Sequence, residues 1–198
     1  MNLPNKITLT RIFMIPVFVL VFFLDGVLPY NYVIAAVIFA LAACTDFIDG
    51  YIARKYKLVT NLGKFLDPIA DKVLVSTAML LLLTLMPFFA VFKDMAKGLY
   101  IATAVCICVI MARELIISAF RQIAATRGLV MAADMLGKYK TTFQDISIVV
   151  LIVAADLTGK AQLVLGWVGL VLFAIATILT VWSGISYVVK NKQVLKDA

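Results

Sequence analysis

Residues 46–71 read DFIDGYIARKYKLVTNLGKFLDPIAD, and four aspartates punctuate them: Asp46, Asp49, Asp67 and Asp71. The spacing is Asp-x2-Asp-Gly-x2-Ala-Arg-x8-Gly-x3-Asp-x3-Asp. The chain has eleven acidic residues in all, so more than a third of them fall in this stretch. It lies between strongly apolar runs, where a carboxylate is costly and usually functional. The stretch reads as a metal site at a membrane surface, and that reading sets the fold class.

The rest of the chain agrees. Of 198 residues, 64% are hydrophobic and 15% charged, with a mean hydropathy of +1.07; soluble domains carry about 25% charged residues. Uncharged runs occupy residues 12–24, 26–45, 73–92, 98–112, 146–155 and 161–189. A spanning helix needs about 20 mostly apolar residues. The second, third and sixth runs meet that length. The fourth meets it if Arg113 and Glu114 lie in its inner end, and the first and fifth need flanking residues around Arg11 and Asp145. The expected fold is an all-α integral membrane protein of six transmembrane helices, forming one domain over residues 1–198 with no soluble module. No small-residue cleavage site follows the first apolar run, so a retained first helix is expected.

Basic residues orient it. With both termini cytoplasmic, fifteen of the eighteen lysines and arginines lie inside, leaving only Lys93, Lys97 and Lys160 outside. That asymmetry is the positive-inside signature, and it places the aspartates at the cytoplasmic ends of helices two and three. It also accounts for the net charge of +7 through topology and anionic lipid, so no nucleic-acid partner is needed. The chain has no histidine, which excludes histidine triads and histidine zinc sites. Cys44, Cys106 and Cys108 sit in apolar runs and read as small buried hydrophobes. Residues 26–30 read as an outer turn, and residues 121–138 as the longest inner stretch, partly irregular around Gly128, Asp134 and Gly137.

On a helix of about 100° per residue, Asp46, Asp49, Gly50, Ala53 and Arg54 share one side. Asp67 and Asp71 are i, i+4 neighbours on the next helix, and Gly63 aligns with them if that helix begins early enough. Two such helices bring four carboxylates together. Divalent cations relieve their repulsion; hard oxygen ligands without sulfur or imidazole favour Mg²⁺ or Mn²⁺, with room for two ions. Gly50, Ala53 and Gly63 are small where a bulky ligand approaches the backbone, and Arg54 offers a cationic fork suited to phosphate.

These residues carry a resemblance. From Asp46 to Asp71 the chain resembles the CDP-alcohol phosphotransferases, integral membrane enzymes of phospholipid synthesis, and departs from their motif at no position. The resemblance implies that Asp46, Asp49, Asp67 and Asp71 ligate metal, with Asp71 also the general base. It implies that Gly50, Ala53 and Arg54 meet the CDP moiety of a CDP-diacylglycerol donor, and that CMP leaves as an acceptor hydroxyl attacks the phosphorus bearing the diacylglycerol. It further implies six helices and a homodimer. Two more segments resemble the bacterial members that use glycerol 3-phosphate. One is Leu3-Pro4-Asn5-x2-Thr8-x2-Arg11, which adds Asn5 and Thr8 to the donor residues together with Gly63. The other runs from Arg113-Glu114 and Arg121 to Gly137-Lys138-x-Lys140-Thr141-x2-Gln144. With them the resemblance covers nearly the whole chain.

Arg113, Arg121, Lys138 and Lys140 fall on the cytoplasmic side near the ends of helices four and five. Four cations suit the doubly charged phosphate of glycerol 3-phosphate; serine or inositol would not need them. Glu114, the only glutamate, sits beside Arg113 as an orienting ion-pair partner. Asp145 is one turn inside the fifth helix, a functional candidate by location with no role assigned. The expected activity is transfer of a phosphatidyl group to glycerol 3-phosphate at the cytoplasmic face of a bacterial membrane. The alternatives are another acceptor (inositol phosphate or serine) or, more remotely, a divalent-cation transporter. One-sided clustering of the aspartates, without matching acids in the outer halves beyond Asp25 and Asp156, speaks against transport.

Overall fold

A computed structural model describes residues 3–55, 60–126 and 135–192; within these, the side chains of residues 3–4, 46–55, 61–62, 64–65, 125–126 and 135–136 fall outside the description. The described residues are helical. They form six long helices, α1 (Leu3–Phe22), α2 (Asn31–Lys55), α3 (Asn61–Leu82), α5 (Ala96–Thr126), α6 (Met135–Ala155) and α7 (Gly159–Lys190), with a short α4 (Met86–Ala90) between α3 and α5. Three segments among the described residues, Asn5–Phe22, Lys93–Ala124 and Gly159–Lys190, are long and apolar enough to cross a membrane.

The chain breaks where local chemistry dictates. Gly26 and Gly159 take positive φ angles of 76° and 65°, a conformation open to glycine because it has no Cβ. Thr60 caps α3, its hydroxyl accepting a hydrogen bond from Gly63 N at 3.0 Å, so the helix does begin early enough to align Gly63 with Asp67. The uncharged run 73–92, expected to be a single span, instead divides: α3 ends at Leu82, and Pro87 lies in the first turn of α4, where its missing N–H is harmless. The α3 helix instead takes in residues before Val73, beginning at Asn61. The inner stretch at 121–138 is shorter than expected, because α5 continues to Thr126 and α6 starts at Met135; Gly128 and Asp134 lie outside the described residues. Asp145 consequently lies about three turns into α6, not one.

The helices meet through small and aromatic residues. Phe18 and Phe39 seat α1 on α2 with ring centroids 5.8 Å apart. Gly169 lets α7 close on α6: a Cβ there would fall 2.7 Å from Leu151 Cδ2. At the end remote from the aspartates, Val33 N donates to Asp156 Oδ2 at 2.6 Å and Asn31 Nδ2 to Phe22 O at 2.9 Å. The first bond occupies an N–H that the start of α2 leaves unpaired, and the second a carbonyl that the end of α1 leaves unpaired. The outer surface is apolar, with Leu20, Ile178 and Trp182 among its most exposed large residues. Cys44 and Cys108 are also exposed and Cys106 is half-buried, against the expected burial. On a helix whose surroundings are apolar, a small hydrophobe has no need to face inward.

Candidate functional site

The site is built in two parts that meet on α3. The first lies where α1 crosses the start of α3. Thr8 Oγ1 donates to Asp67 Oδ1 at 2.6 Å, and Thr60 Oγ1 donates to Asn5 Oδ1 at 2.9 Å. Gly63 is buried between them; a Cβ on it would fall 2.9 Å from Asn5 Oδ1 and 3.8 Å from Asp67 Oδ2. Asn5, Thr8, Gly63 and Asp67, chosen as candidates from two separate segments, thus form one contiguous surface. Arg11, one turn beyond Thr8, is 0% exposed, and its Nε donates to Thr45 Oγ1 at 3.2 Å. The α2 helix runs unbroken through Asp46, Asp49, Gly50, Ala53 and Arg54, as the pattern predicts, while their side chains lie outside the described residues.

The second part is a cavity of about 690 Å³ enclosed by α3, α5, α6 and α7. Asp71 and Lys72 line it from α3, Arg113, Glu114 and Arg121 from α5, and Lys138 and Lys140 from α6. Among the described residues five basic and two acidic side chains face one space, a surplus that favours an anion. All four predicted acceptor cations are present, beside the predicted base.

They are not equivalent. Glu114 Oε1 accepts from Arg113 Nη1 at 2.8 Å and also from Lys140. Lys140 is 2% exposed; burial demands a counter-ion, and Glu114 is it. Arg113 is held a second time, donating from Nη2 to Ser183 Oγ at 2.9 Å. Its stem lies against Gly184, where a Cβ would come within 3.0 Å of Arg113 Cγ. Arg121 and Lys138 are exposed. Arg121 Nε donates to Tyr187 Oη at 3.2 Å, with the guanidinium carbon 5.3 Å from the ring centroid. Arg113 and Lys140 thus form a rigid floor, and Arg121 and Lys138 a reachable rim.

Lys72, Ser118, Ser183 and Tyr187 were not singled out from the sequence. Lys72 donates to Ser118 Oγ, which donates to Glu114 O at 2.6 Å, tying α3 to α5 across the cavity. The only local hint was the position of Lys72 beside Asp71. Ser183 and Tyr187 sit in an apolar helix with nothing nearby to mark them.

A family model described as CDP-alcohol phosphatidyltransferase matches residues 1–182. The chain belongs to that family. Among CDP-alcohol phosphatidyltransferases it is similar to the CDP-diacylglycerol–glycerol-3-phosphate 3-phosphatidyltransferase of Bacillus subtilis (strain 168), with 38% identity covering 100% of this chain and 98% of the relative. The proteins of the same name from Escherichia coli K12 and Rickettsia bellii are 36% and 38% identical. Those alignments cover 99% and 94% of this chain, and 98% and 93% of the respective relatives. Family membership gives the aspartate-rich stretch and the basic cavity a common context.

Proposed function

We propose that this chain transfers the phosphatidyl group of CDP-diacylglycerol to glycerol 3-phosphate, forming phosphatidylglycerophosphate and CMP. The observation that carries this reading is the basic cavity around Asp71, whose surplus of positive charge suits a phosphorylated acceptor. The name shared by the relatives supports it.

In this reading Asn5, Thr8, Gly63, Gly50, Ala53 and Arg54 receive the donor, along with Asp46. Arg121 and Lys138 take the acceptor's phosphate over the Arg113–Glu114–Lys140 floor. Asp71 takes the proton of the attacking hydroxyl as the bond from oxygen to phosphorus forms and the bond to CMP breaks. The donor set fits hard divalent cations: Asp67 and Asp71 are spaced one turn apart on α3, and the hydroxyl of Thr8 holds one oxygen of Asp67 while its other remains available. Asp46, Asp49, Asp67 and Asp71 would hold Mg²⁺ or Mn²⁺, two ions in all, which supply Lewis-acid neutralisation of the diphosphate.

The wider proposal is a single domain over residues 1–198, with six spanning helices and both termini cytoplasmic. It acts as a homodimer in the bacterial cytoplasmic membrane, with the site on the cytoplasmic side. The positive-inside asymmetry and the six long helices support it. The deciding experiment is an acceptor panel with purified protein, CDP-diacylglycerol and Mg²⁺, reading CMP. Release is expected with glycerol 3-phosphate only; release with serine or inositol phosphate instead sinks the acceptor assignment.

A further inference from the structure

A smaller chamber of about 130 Å³ lies beside the basic cavity, deeper between α3, α5 and α6. It shares Asp71, Glu114 and Lys140 with the larger space, so the two meet at the proposed base. Gln144 lines the chamber from α6 and is 3% exposed. Its Nε2 makes one weak donation, to Met79 Sδ at 3.6 Å, and its Oε1 is buried without a partner among the described residues.

An amide oxygen left in that state is unusual in a native protein and calls for a specific explanation. The volume equals about four waters at roughly 30 Å³ each, which is also room for a three-carbon chain and its hydroxyls. Met79 and Met111 form apolar walls, suited to the carbon skeleton. The terminal amide torsion of glutamine is soft, so Oε1 can turn to a donor that enters the chamber.

We infer that Gln144 is a specificity-determining residue that reads the acceptor's second hydroxyl. This rests on the acceptor being glycerol 3-phosphate, as proposed above. With the phosphate at the rim formed by Arg121 and Lys138, the carbon chain passes Asp71, where the unhindered primary hydroxyl attacks. The secondary hydroxyl enters the chamber and donates to Gln144 Oε1. An acceptor without that hydroxyl leaves the amide unpaired.

The test uses the full-length protein in lipid nanodiscs with CDP-diacylglycerol and Mg²⁺. It compares kcat/KM for glycerol 3-phosphate with that for 3-hydroxypropyl phosphate, which lacks only the secondary hydroxyl. Wild-type protein is expected to prefer glycerol 3-phosphate by about 10- to 100-fold, the loss that follows one unmade buried hydrogen bond. In Gln144→Met, with Gln144→Leu as an alternative of similar volume, the ratio should fall to within about threefold of one. A merely structural glutamine would lower both rates together and leave the ratio intact, and that result overturns the inference in favour of an ordered water. A wild-type ratio near one overturns it without any variant. No CMP release with glycerol 3-phosphate overturns the acceptor reading and this inference with it, whereas release without preference overturns the inference alone.

Discussion

At the scale of single residues, the described site separates into groups already engaged and groups left open to a ligand. Thr8 is committed to Asp67, and Lys140 to Glu114. Arg121 and Lys138 are exposed on the cavity rim. Asp71 borders both the large cavity and the small chamber, the position a base must hold if the acceptor spans the two. Asp71→Asn keeps the shape of the side chain and removes its basicity. We expect turnover to fall about 10²- to 10⁴-fold, the usual contribution of a general base, while equilibrium binding of the CDP-diacylglycerol donor persists. Near-normal CMP release by this variant would remove Asp71 from the role of base.

At the scale of helices, two glycines distinguish packing from freedom. A Cβ on Gly169 would lie 2.7 Å from both Leu151 Cγ and Cδ2, and 3.3 Å from Val150 Cγ1, whereas one on Gly98 meets nothing within 4 Å. Leu151 is itself core and cannot swing aside. Gly169→Ala should therefore destabilise the bundle by about 1–3 kcal/mol through overpacking of α6 against α7. Gly98→Ala should be neutral or slightly stabilising, since alanine restricts the unfolded chain. Thermal unfolding in detergent separates the two, and equal shifts would discredit the packing account. Helix ends show why the sequence was only partly legible. The first and fifth runs looked short because Thr8, Arg11, Lys138, Lys140 and Gln144, which lie in or beside the proposed site, also interrupt hydropathy. The polarity of those positions obscured the elements carrying them. Conversely, the run at 73–92 is uniformly apolar and conceals the break after Leu82, which turn geometry and Pro87 create. Pairings such as Arg113 with Ser183, 70 residues apart, leave no trace in any local period, while the aspartate motif was legible because its spacing is helical.

At the scale of the whole molecule, charge asymmetry carries the proposed orientation. A cysteine-free background with single substitutions Lys160→Cys or Lys6→Cys tests it in intact spheroplasts with a membrane-impermeant maleimide. Labelling is expected at position 160 and only after permeabilisation at position 6; the reverse pattern would invert the proposed topology. The buried polar edge of α1 bears on how the protein is made. Arg11 and Thr8 find partners on Thr45 and Asp67, which lie 34 and 59 residues further along the chain. When α1 leaves the ribosome those partners do not yet exist, and an unpaired cation is poorly received by lipid. Arg11 therefore meets Thr45 only once α2 is made, and Thr8 meets Asp67 only once α3 is, so the surface proposed for the donor cannot be complete before three helices have been synthesised.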